Sequence, residues 1–157
     1  MTVLRLPGKT FEDGLAGRNT GVVLMWTPGS KEFRMLAGTE LPGNNGIETS
    51  PDDREFYVAS TQLKRIVVFS RANPSKPLRS AQLKEFFPDN VRLVGDRLIT
   101  AGMIADAIDP KTMVVTEIDR GPAVPPYTGT ATAMPTGDNL WLSSFTADRV
   151  AYRALKR

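Results

Sequence analysis

The 157-residue chain contains no cysteine and no histidine. The first absence excludes a disulfide framework and thiolate chemistry. The second excludes Ser-His-Asp triads and His/Cys zinc sites. Any catalysis must therefore run on carboxylates, lysines, hydroxyls or a bound cation. Helical periodicity is scarce as well: "SAQLKEFF" (80–87) fits one helical turn or a strand, and nothing else competes. No apolar run is long enough for a membrane span, and the opening "MTVLRLPGKT" has no signal-peptide core. A soluble, cytoplasmic protein with no membrane partner is expected. A basic face interleaved with aromatics is also missing, so no nucleic-acid partner is expected. The single tight basic cluster, "RALKR" at 153–157, reads as a solvated tail despite the formal net charge of +3.

What is present is a series of short β-rich runs separated by turn signals: "TPGS" at 27–30, "SPDD" at 50–53, "VGDR" at 94–97, "DPKT" at 109–112 and "PTGD" at 135–138. This spacing predicts an all-β architecture. The runs also repeat. "EFYVASTQLKRIVVF" (55–69) aligns without a gap on "NLWLSSFTADRVAYR" (139–153), placing Phe56 on Leu140, Tyr57 on Trp141 and Ile66 on Val150. Halfway between, "RLITAG" from position 97 matches both. A period of about 42 residues with several short strands per unit is the pattern of four-stranded antiparallel β-propeller blades. The predicted domain covers 1–157, with blades at approximately 3–37, 46–86, 90–119 and 129–155. In the first, the weaker copy "DGLAGR" is read as a strand over 13–17, between strands at 3–7 and 21–27. The last blade lacks an outermost strand. Open β edges are normally covered, so either a larger propeller or a homo-oligomer is expected.

In a propeller the innermost strand of each blade lines the channel, and the loop entering it opens at one mouth. Asn44 and Asn45 precede "GIETS"; Asp89 and Asn90 precede the corresponding strand one blade later. Asn45, Asp89 and Asn90 should thus converge, offering one carboxylate and two amide carbonyls. Calcium takes oxygen ligands of this kind. The same residues are also turn formers in their own right, through Asn-Gly at 45–46 and Pro-Asp-Asn at 88–90.

The stretches "NNGIETSPDDREFYVASTQLKRIVVFSR", "PLRSAQLKEFFPDNVRLVGDRLITAG" and "GTATAMPTGDNLWLSSFTADRVAYRAL" resemble the paraoxonase/arylesterase family and its gluconolactonase, senescence-marker-protein-like and strictosidine-synthase-like relatives. The resemblance covers 42–102 and 129–155. It implies a six-bladed propeller with calcium at the channel mouth that hydrolyses lactones or esters. It implies Asn45, Asp89 and Asn90 as calcium ligands and Asp89 as general base. Such proteins carry about two further blades, with a glutamate and another asparagine ligand, which here would lie before Met1. The paraoxonase branch also uses histidines, which this chain lacks. Two functions are therefore expected to compete: a calcium-dependent lactonase/arylesterase-like hydrolase segment acting on a small lactone or ester, and a non-catalytic propeller remnant serving as a binding or protein-interaction module.

Other candidates have plainer readings. Glu12 and Asp13 cap a turn, and Asp52 and Asp53 are exposed turn residues. One of Glu48 and Thr49 faces the channel. Tyr57 and Trp141 recur at one blade position and are read as inter-blade core. "GPAVPPYTGT" (121–130) is either a rigid connection or a loop overhanging the mouth, and the hydroxyl of Thr130, beside Gly129, is placed near a substrate.

Overall fold

In a computed structural model that describes residues 1–84, 87–120 and 129–155, β1 (Thr2–Val3), β2 (Val22–Met25) and β3 (Arg34–Met35) form the first sheet. Helix α1 (Phe11–Leu15) lies in the connection from β1 to β2. The second sheet contains β4 (Asn44–Thr49), β5 (Glu55–Ser60), β6 (Arg65–Ser70) and β7 (Arg79–Gln82). The third contains β8 (Val91–Val94), β9 (Arg97–Ala101), β10 (Ile104–Ile108) and β11 (Val115–Arg120). The last contains β12 (Thr130–Thr136), β13 (Asn139–Ser144) and β14 (Ala151–Ala154). Each sheet is antiparallel, and its strands follow chain order. Strand β1 lies against β4, β4 against β8, and β8 against β12, so the first strands of successive sheets form the inner wall. These are propeller blades, numbered 1 to 4 below.

Alternation along the second strands builds the core. In β5, Phe56 and Val58 point toward blade 1 and pack with Val23 and Leu41. Tyr57 and Ala59 point the other way, onto Val91, Leu98 and Ile104 of blade 3. Both faces are buried, which is why the run reads as continuously apolar rather than alternating. Blade 3 repeats the scheme: Ile99 and Ala101 meet Ala133, Leu140 and Leu142 of blade 4. Polar clamps reinforce the blade contacts. Arg79 forks onto Glu55 within blade 2, at 2.7 and 2.6 Å, and donates to Pro110 O of blade 3 at 3.0 and 2.8 Å. Arg153 of blade 4 reaches the buried carboxylate of Asp119 in blade 3, at 3.0 Å.

Blade 1 departs from the sequence expectation. Residues 13–17 are not a strand. Thr10 accepts from Asp13 N at 3.1 Å and the Asp13 carboxylate accepts from Thr10 N at 2.8 Å, a capping box that starts α1 instead. The partner of β1 is β2, nine residues further along than the 13–17 copy, and β1 itself is shorter than the expected 3–7. Elsewhere, the ambiguous "SAQLKEFF" opens as strand β7, and the expected connection at 121–130 falls outside the described residues except for Gly129 and Thr130. Trp141 is a second correction. Its counterpart Tyr57 is core, but Trp141 is 41 % exposed and stacks on Tyr152, with ring centroids 4.9 Å apart. Among the described residues no blade covers that face.

Candidate functional site

The two neighbouring asparagines do different work. Asn44 is fully buried; its Oδ1 accepts from Leu41 N at 3.1 Å and its Nδ2 donates to Thr39 O at 2.8 Å. It opens β4, and its side chain is a staple for the loop that enters blade 2. Asn45 is re-aimed by a β-bulge. Asn44 pairs with Ser60 and Ile47 with Val58, so Asn45 and Gly46 together oppose Ala59 alone. The bulge frees the Asn45 side chain from the blade's packing faces and brings its amide near the Asp89 carboxylate of blade 3, whose rise in pKa it partly opposes. Asn45 Nδ2 also donates to Thr61 Oγ1 at 3.2 Å.

Gly46 makes this proximity possible. Its N–H donates to Asp89 O at 2.8 Å, and a Cβ there would lie 2.6 Å from both Asn90 Cα and Val91 N. Only glycine lets the inner strands of blades 2 and 3 approach so closely. The stitching continues around the mouth. Thr2 Oγ1 of blade 1 donates to Asn45 O. Thr61 Oγ1 donates to Pro88 O at 2.9 Å. Asn90 sends both its backbone N–H and its Nδ2 to Ala131 O of blade 4, each at 3.2 Å. Blade 4 carries its own bulge there, with Ala131 as the extra residue between Thr130 and Thr132. Asn45, Asp89 and Asn90 thus occupy one arc across the starts of two inner strands, β4 and β8, tied to the third, β12, through Ala131 O.

Electrostatically, Asp89 is the centre of that arc. Burial pushes its carboxyl above the usual carboxylate range, and the hydrogen bond from Asn45 partly opposes the rise. The Oδ1 atoms of Asn45 and Asn90 have no hydrogen-bond partner among the described residues. One carboxylate and two amide oxygens fit part of the shell of a hard cation, which takes six to eight oxygens with water included. As placed, the Asn45 amide gives its nitrogen to Thr61 Oγ1, at 3.2 Å. Among the described residues, no group of three or more acidic, histidine or cysteine side chains is placed to hold a metal ion.

Two residues of the arc escaped the sequence reading. Thr61 and Gly46 fix Asn45; the signals were the Asn-Gly pair, read only as a turn, and the polar "STQ" closing β5. Of the secondary candidates, Thr130 is buried, with its N–H on Gly102 O at 3.0 Å. Glu48 Oε2 accepts from Leu93 N at 3.4 Å, toward blade 3, whereas Thr49 is exposed. Asp52 and Asp53 are exposed turn residues, as expected.

No protein-family model and no curated protein sequence matches the chain. Solved structures do. The WD40 β-propeller domain of Doa1 superposes with a TM-score of 0.68 at 13 % identity, over 87 % of this chain and 44 % of that one. Hydrazine synthase of Kuenenia stuttgartiensis gives 0.64 at 14 % identity, over 85 % and 40 %. Virginiamycin B lyase of Staphylococcus aureus gives 0.58 at 17 % identity, over 80 % and 43 %. The chain has a β-propeller fold. It spans less than half the length of each of these structures, and at such identities the likeness shows the fold alone.

Proposed function

We propose that the arc of Asn45, Asp89 and Asn90 is a calcium-binding mouth and that the chain is a propeller segment of a lactonase/arylesterase-like hydrolase. The observation that carries this reading is the stitching of blade 2 to blade 3 beside Asp89: Asn45 donates to Thr61, Thr61 donates to Pro88 O, and Gly46 N–H donates to Asp89 O at 2.8 Å, on a bulge and a glycine that allow the close approach. The resemblance of 42–102 to the paraoxonase and gluconolactonase group points to the same residues. A bound calcium ion supplies Lewis-acid polarisation of an ester or lactone carbonyl. Asp89, the one carboxylate of the arc, would take the proton of the attacking water. Asn45 orients that carboxylate, and Thr61 holds Asn45. The test is hydrolysis of phenyl acetate and of a six-membered lactone, with calcium or with chelator. Calcium-dependent turnover that Asp89→Asn abolishes supports the reading; turnover indifferent to both ends it.

A second reading, a binding module without chemistry, is favoured by two observations. Asp89 is the only carboxylate of the proposed ligand set, while the Trp141–Tyr152 row presents apolar surface that its counterparts in blades 2 and 3 bury. We propose a homo-oligomer in which a second copy covers that row. Light scattering tests it: a monomer at micromolar concentration rejects the assembly.

A further inference from the structure

Between blades 1 and 2, toward the end of the sheets opposite the mouth, lies an open cleft of about 600 Å³. That size is typical of small-molecule sites. Its walls are mainly apolar, with Met25, Trp26, Met35, Leu36, Ile47 and Phe56. Its charged side chains are Arg34 and Arg71, and no carboxylate lines it. A second cleft, of about 650 Å³ between blades 2 and 3, is different: Asp52, Glu55 and Asp96 face Arg54, Arg79 and Lys111, and the signs cancel.

The two arginines of the first cleft are not equivalent. Arg71 is paired with Asp53. Arg34 has no ion-pair partner among the described residues; its Nη2 lies 3.9 Å from Met25 Sδ, on the cleft wall. A guanidinium that is unpaired beside an apolar hollow matches one carboxylate, which it can hold through two parallel N–H···O bonds. The hairpin that carries Arg34 also offers contacts for an apolar body, and Ile47 and Phe56 of blade 2 face it. Trp26 Nε1 is satisfied within its own hairpin by Ser30 O at 2.9 Å, which leaves the ring 50 % exposed with no polar demand. Met25 and Met35 flank it, and methionine adapts to ligands of varied shape.

We propose that this cleft binds an amphipathic monocarboxylate, with its apolar chain against Trp26, Met35 and Phe56 and its carboxylate on Arg34. The site is separate from the calcium mouth and does not depend on it. The chain has two tryptophans, so Trp141→Phe leaves Trp26 as the sole reporter. Titration with dodecanoate below its micelle concentration should shift Trp26 emission saturably, and calorimetry on the unmodified chain should give the same affinity. Dodecanol, with no charge, should bind about tenfold more weakly, and Arg34→Gln should weaken dodecanoate by about tenfold without changing dodecanol. Equal affinity for acid and alcohol, an Arg34→Gln variant that binds dodecanoate as before, or the absence of a saturable shift overturns the proposal. So does association with anionic phospholipid vesicles unaccompanied by binding of free dodecanoate, which would make the cleft a membrane contact.

Discussion

Tyr57 and Trp141 stand 84 residues apart, each third in the second strand of its blade, yet Tyr57 is 3 % exposed and Trp141 is 41 % exposed. Neither residue type nor strand position differs enough to account for this. The neighbour does: blade 3 covers Tyr57, and among the described residues nothing covers Trp141. In a propeller, a blade position dictates which way a side chain points, and the next blade decides whether it becomes core. Stability should therefore concentrate at the interfaces of blades 2 and 3 and thin out at blade 4.

The sharpest way to break that comparison is to truncate both aromatics. Tyr57→Ala should cost about 3–5 kcal/mol, because it opens a cavity in a fully packed layer. Equal costs for Tyr57→Ala and Trp141→Ala in urea unfolding would reject the claim that the covering blade sets the energetics.

The next effect comes from Asp106, buried in β10 of blade 3. Burial chiefly, and the neighbouring Glu117 secondarily, push its carboxyl up to about 6 from 3.8. The folded state thus holds this proton more tightly than the unfolded state. Its contribution favours folding below about pH 4 and is lost as pH rises through about 6. At 1.36 kcal/mol per unit the loss is on the order of 3 kcal/mol. Asp106→Asn should flatten this part of the stability curve between pH 4 and 8 and raise the melting temperature at pH 8. A wild-type curve already flat over that range contradicts the assignment.

The clamp at Arg79 is smaller. Removing it by Arg79→Ala leaves Glu55 and Pro110 O without their partner and should cost about 1–3 kcal/mol. The smallest effect is Trp141→Ala, about 1 kcal/mol, mostly its stacking on Tyr152. If concentration-dependent unfolding makes that cost rise with protein concentration, a second copy covers the row.

How much of this was readable in the sequence follows the same division. The second strands at 55–60 and 97–101 were legible because each is buried on both faces, and a doubly buried strand must be apolar throughout; 139–144 was legible because it copies them, although only its Leu140 and Leu142 face is buried. Blade 1 was misread at 13–17 because "DGLAGR" copies the repeat weakly, while the capping pair Thr10 and Asp13 sits just before it and starts a helix. Asp89 and Asn90 were legible as turn residues at an inner strand's start. The role of Gly46 was not: a close approach of two backbones leaves no mark on sequence other than a glycine, and Asn-Gly also makes turns. The sequence singled out Asn45 over Asn44 as a candidate ligand, but the bulge that parts the two side chains was not legible in it. The exposure of Trp141 followed from the sequence only where the last blade was seen to lack a cover; periodicity by itself reports direction and carries no information about the neighbour.

The central claim is that the arc across blades 2 and 3 holds a cation through Asp89. Calcium titration of the melting temperature tests it most directly, because a ligand that binds only the folded state raises its stability in proportion to the logarithm of ligand excess over Kd. The account predicts a rise with millimolar calcium in the wild-type chain that is absent in Asp89→Asn and larger in Asn45→Asp, which adds a second carboxylate to the arc. An identical calcium response in the wild type and Asp89→Asn, or none in any of the three, would contradict it.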